Sequence, residues 1–126
     1  MTQLSLPADL VKGIEELEQE FPDRVSVEAD DAGAIVHIAG ISLGPGWSAN
    51  VGVLSFLLPF HYPDAAIYPY HVTEATPDRV SDGALQPVSW RGNPATQVSL
   101  RHNHWNPAHD TALGSVLLTL ARLLNQ

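Results

Sequence analysis

Three of the six histidines fall within eight positions: His102, His104 and His109, with Asp110 beside the last. If residues 101–104 are extended, His102 and His104 project to one face, an arrangement that suits zinc. His109 or Asp110 would add a third ligand, so a small metal-dependent hydrolase built on His102, His104 and Asp110 is one function this spacing allows. Alternatively, His102 serves as a general base toward Ser99 or an incoming amine. The same residues also read as solvated side chains on a loop that introduces a helix, and the expectation is that no metal or cofactor is bound. His37, His61 and His71 are scattered and offer no second cluster. There is no cysteine in the chain, which excludes disulfides, cysteine-ligated zinc and thiol catalysis.

The elements that must position these groups follow from periodicity. Leu6, Leu10, Val11, Ile14, Leu17 and Phe21 recur at spacings of three and four, predicting a helix over 6–21 that starts near Ser5 and Pro7 and ends at Pro22. Residues 25–29 alternate as a half-buried strand does; 30–33 carry turn chemistry; 34–39 and 51–58 read as further strands and 70–73 as a short fourth. Between Pro59 and Gln97 the chain is rich in Pro, Gly, Asp and Ser and reads mainly as loop. A second helix is predicted over 110–124, with Asp110 as cap and Leu113, Val116, Leu117, Leu120 and Leu124 on its apolar face. Short connections favour an antiparallel meander of three to four strands with both helices on one face: an α+β sandwich in two layers, one domain over residues 1–126.

Acidic residues outnumber basic ones by 14 to 6, a net charge of −8, which argues against nucleic acid and anionic membrane as partners. The N-terminal stretch MTQLSLPADL lacks a basic segment followed by an apolar one, so a cytoplasmic location is expected.

The segment Leu54-Ser55-Phe56-Leu57-Leu58-Pro59-Phe60-His61-Tyr62-Pro63 resembles the end of the third strand of ubiquitin-conjugating enzymes, where a phenylalanine-proline pair is followed by tyrosine-proline. Gly44-Pro45-Gly46 matches the loop before that strand. Pro69 and Tyr70-His71-Val72 match the proline and short strand after it, and Trp105-Asn106-Pro107 resembles the tryptophan-x-proline before the second long helix. The resemblance runs from the first helix to Leu124, and this shortened form looks like the divergent bacterial members that accompany ubiquitin-like proteins, activating enzymes and deconjugating peptidases.

That resemblance implies a site. Family members carry ubiquitin as a thioester on a cysteine placed before the tryptophan; here Ser99 falls at the equivalent position, and Ala95 is a second place where a cysteine would sit. An unactivated serine hydroxyl is a poorer nucleophile and its ester a poorer acyl donor. The family's oxyanion-stabilising asparagine has its nearest analogue in Asn93, although Arg91-Gly92 precede it instead of histidine-proline. Ser99, Asn93, His102 and Trp105 are thus the implied catalytic set, and Tyr62, Pro63, Lys12 and Glu16 the implied binding set. The implied partners are a ubiquitin-like protein and its adenylating, activating enzyme, with the chain either carrying the modifier or acting as a non-catalytic adaptor.

Overall fold

In a computed structural model, residues 7–62, 64, 67, 69–78, 85–99 and 105–124 are described. Helix α1 (Ala8–Glu20) starts at Pro7, whose fixed φ of −56° suits the N-cap without a side-chain hydrogen bond. It buries Leu10, Gly13, Ile14 and Leu17, while Val11, expected on that stripe, is 41% exposed. The Phe21 N–H closes the helix on the Leu17 carbonyl, and Asp23 at φ 63° turns the chain into the sheet.

Strands β1 (Val25–Asp30), β2 (Gly33–Ser42), β3 (Val51–Pro59) and β4 (Tyr70–Thr73) are those that alternation predicts, with ends within a few residues. They form an antiparallel meander. Two more strands, β5 (Leu85–Trp90) and β6 (Asn93–Val98), lie in the segment expected to be loop, so the sheet has six strands rather than three or four, in the order β1-β2-β3-β4-β6-β5. Proline hides both strands from a sequence reading, since a central strand cannot spare the N–H. Pro87 lies on the edge strand, and Pro94 lies on β6 outside the stretch, Thr96 to Val98, that pairs with β4. Arg91 at φ 51° and Gly92 at φ 82° join them in a two-residue loop with both φ values positive, the geometry that matches strand twist.

Helix α2 (Ala112–Leu124) is capped by Thr111, whose Oγ1 accepts the Gly114 N–H at 3.0 Å. Asp110, the expected cap, instead accepts the Asn106 N–H through Oδ2 at 2.6 Å and tightens the turn after Trp105. The buried face of α2 is also rotated from the expected one. Ala112, Ser115, Val116, Thr119 and Leu123 face inward, whereas Leu117 and Leu124 are 43% and 48% exposed. Leucines surround this helix, so periodicity leaves its orientation open; the buried hydrogen bond between Tyr70 Oη and Ser115 Oγ, 2.7 Å, selects the face with the small residues.

Both helices pack on one face of the sheet. A single core joins Leu10 and Leu17 of α1, Val116 and Leu123 of α2, and the inward residues of successive strands: Val36 opposite Phe56, Ile38 opposite Leu54, Leu54 opposite Val72, and Tyr70 opposite Val98. Tyr62, on the turn after β3, locks the layers together. Its ring lies 3.2 Å from where a Gly13 Cβ would stand, and its hydroxyl accepts the buried Ala112 N–H at 2.8 Å. Tyr62→Phe keeps the ring but orphans that N–H, so urea denaturation is expected to show a loss of about 1–2 kcal/mol.

The opposite face of the sheet is rolled. A flat sheet would hold β1 and β5 roughly 24 Å apart. Instead Arg91, at the tip of the β5–β6 hairpin, reaches Glu28 and Asp30 on β1 at 3.5 and 3.4 Å. The face away from the helices is therefore concave.

Candidate functional site

The structure distributes the residues singled out from sequence over separate places. Ser99 follows β6, half-buried, with its Oγ accepting from Gln97 Nε2 at 3.1 Å. Asn93 begins the same strand and donates to the Arg91 carbonyl at 3.3 Å. Six residues of extended chain put it roughly 20 Å from Ser99, beyond the reach of an acyl group carried there. Trp105 is half-buried and packs against the core. Pro63, His102 and His104 lie outside the described residues, so the histidine cluster is represented by His109, which is exposed, and by Asp110. Among the described residues no group of three or more His, Asp or Glu side chains is placed to hold a metal.

Lys12, Glu16 and Tyr62 do come together. With Asp9, His109 and Asp110 they line a shallow groove of about 190 Å³ between the outer side of α1 and the turn that leads into α2. The Tyr62 hydroxyl is buried against the start of α2, and burial raises its pKa above the ordinary tyrosine value.

A second constellation forms on the concave face. Register places His37 of β2 opposite Ser55 of β3, and Ser55 opposite His71 of β4, all on the outer side of the three central strands. His37 Nδ1 lies 2.7 Å from Ser55 Oγ, and His37 Nε2 lies 2.7 Å from Glu28 Oε1. Trp90 folds over this row, stacked on the His71 ring at 4.5 Å and 16° and edge-on to His37 at 6.2 Å. Arg91 sits above the Trp90 ring at 5.9 Å. A cavity of about 300 Å³ is lined by Glu28, His37, Ser55, Trp90, Arg91 and Asn93, among others. The two histidines expected to be scattered are thus a cluster, built by strand register across 34 residues of sequence.

The charges within this cluster favour one proton arrangement. The hydrogen bond from His37 holds Glu28 below the ordinary carboxylate pKa against an opposing desolvation effect, with a further contribution from Arg91. An ionised Glu28 takes the Nε2–H, leaving the lone pair on Nδ1 for the Ser55 hydroxyl to donate into. Burial pulls His71 below the ordinary histidine pKa, and its Nδ1 has no hydrogen-bond partner among the described residues. A neutral imidazole stacked on indole is therefore the resting form of that pair.

The fold and these sites define an α+β protein with a six-stranded antiparallel sheet covered by helices on one face. Compared with known proteins, the chain matches no family model, no curated protein and no solved structure. Among the described residues no helix is long and apolar enough to cross a membrane.

Proposed function

We propose that the chain is a ubiquitin-conjugating-enzyme-like protein of a bacterial, cytoplasmic modification system, and that it binds a ubiquitin-like protein or its adenylating enzyme. The observation that supports this most directly is the groove on α1, which gathers Lys12, Glu16 and Tyr62, three of the four residues that the family resemblance marks for binding. The helix, four-strand meander and C-terminal helix occur in the order the resemblance requires. Without a cysteine the chain forms no thioester. Its role is then that of an adaptor, or of a carrier through a slower oxyester at Ser99.

The test is calorimetric titration with a ubiquitin-like protein and an adenylating enzyme from the same genome. Lys12 is exposed and Glu16 half-buried. The double reversal Lys12→Glu, Glu16→Lys should weaken binding about tenfold or more, which is 1.4 kcal/mol, with little change in thermal stability. In parallel, Ser99→Cys with ATP and the adenylating enzyme should yield an adduct that thiol reductants remove, while the unchanged chain yields none. Absence of binding to either protein overturns the proposal. Binding without an adduct on Ser99→Cys identifies the adaptor.

A further inference from the structure

We infer that Ser55 is an acylable hydroxyl, activated by His37 and Glu28, in a small esterase-like site on the concave face. This site is separate from the α1 groove and independent of the function proposed above.

Three features of the concave face set it apart from a chance polar contact. The chain Ser55 Oγ, His37 Nδ1, His37 Nε2, Glu28 Oε1 has two links of 2.7 Å, so a nucleophile, a base and a group that orients the base are already in line. The surroundings are costly: a buried His71 Nδ1 is unpartnered among the described residues. Finally, Ser55 is only 1% exposed but lines the cavity of about 300 Å³ under Trp90 and Arg91, so a compact reagent has a place to bind against it.

The reaction follows from these positions. Ser55 Oγ attacks the carbonyl carbon of a short-chain ester while its proton passes to His37 Nδ1. The bond from carbon to the leaving oxygen then breaks, and that oxygen takes the proton from His37. An acyl ester on Ser55 remains. Water attacks it with His37 again accepting a proton, which returns to Ser55 Oγ as the acid departs. Glu28 is a positioning residue that fixes the imidazole tautomer. Strand β3 is paired on both sides at Ser55, so its backbone N–H groups are committed to the ladder. Donors for the developing oxyanion must come from the Asn93 amide and the Arg91 guanidinium, which line the same cavity. Turnover is therefore slow, and the acylated protein accumulates.

The experiment uses the full chain and diisopropyl fluorophosphate, in which attack by Ser55 forms an oxygen–phosphorus bond and expels fluoride. Intact mass and peptide mapping should place one adduct on Ser55. His37→Gln should slow its formation on the order of a hundredfold, with circular dichroism confirming that the variant is folded. The same reagent on the guanidinium-unfolded chain should give no preference for Ser55. p-Nitrophenyl acetate should give a burst of one equivalent of nitrophenolate in the unchanged chain and none in Ser55→Ala. No adduct on the folded chain, an adduct on another serine, or an undiminished rate in folded His37→Gln each overturns the inference.

Discussion

Gly33→Ala is expected to destabilise the protein by about 3–4 kcal/mol, read as a shift in the urea midpoint at unchanged slope. Two effects combine. Gly33 opens β2 directly after a two-residue loop, Asp31-Ala32, in which neither residue has a positive φ, and Gly33 itself sits at φ 156°. A side chain there carries backbone strain of about 1–3 kcal/mol. In addition, an alanine Cβ would stand 2.1 Å from the Leu58 carbonyl oxygen and 2.8 Å from the Pro59 Cα, both backbone atoms of β3. Neither can swing aside as a side-chain tip would, so the β1–β2 hairpin must shift against β3, and overpacking of this kind adds about 1–3 kcal/mol. Gly92→Ala separates the two effects. Gly92 has φ 82° but no atom within 4 Å of the added Cβ, so that variant should lose only the strain, about 1–2 kcal/mol. Equal losses in the two variants would show that the contact with β3 is not what makes Gly33 necessary.

Much of the scaffold is legible in the sequence because it is locally encoded. The stripe Leu10, Ile14, Leu17 and Phe21 specifies α1, and alternation specifies β1 to β4, since burial of one face is imposed residue by residue. What is illegible is decided at a distance. Strands β5 and β6 carry Pro87 and Pro94, which argue against strand in isolation and are tolerated only because of where the sheet leaves an N–H unneeded. The orientation of α2 depends on Tyr70, 45 residues before its partner Ser115.

The concave cluster did leave a trace. Val36-His37-Ile38, Leu54-Ser55-Phe56 and Tyr70-His71-Val72 each place one polar residue between two large apolar ones at the centre of a strand. In an antiparallel meander such triplets align whenever the register matches, and here it does. Of the residues marked by resemblance, Lys12, Glu16 and Tyr62 converge, while Ser99 and Asn93 stand at opposite ends of β6. Residues that are neighbours in sequence are spread by an extended strand, and residues far apart are gathered by pairing.

Trp90→Ala is expected to cost about 2–3 kcal/mol and to change how stability depends on pH. The indole is half-buried, so the loss falls at or below the lower end of the range for aromatic truncation. It removes the stacking on His71, the edge contact with His37 and the seat of the Arg91 guanidinium together. The pH effect follows from the sign of the His71 shift. Burial lowers the folded pKa of His71 from its ordinary 6.5. Below that pH the unfolded chain takes up a proton that the folded chain refuses, and stability falls as pH drops through this window. Without the indole the His71 ring meets water, its folded pKa moves back toward 6.5, and the loss in that window shrinks. Glu28 acts in a lower window: its folded pKa lies below its ordinary 4.5, so it contributes stability above that value, lost as pH falls through the folded pKa. The His37–Glu28 hydrogen bond, the larger cause of that shift, is not made by Trp90. Most of the acid loss below about 4.5 should therefore persist in the variant, less the smaller part that a displaced Arg91 contributes. Urea denaturation of both proteins from pH 8 to pH 3 distinguishes the two contributions. The unchanged chain should lose stability in both windows and Trp90→Ala chiefly in the lower one. Parallel curves would mean that Trp90 does not keep water from His71, and that the concave face is open without it.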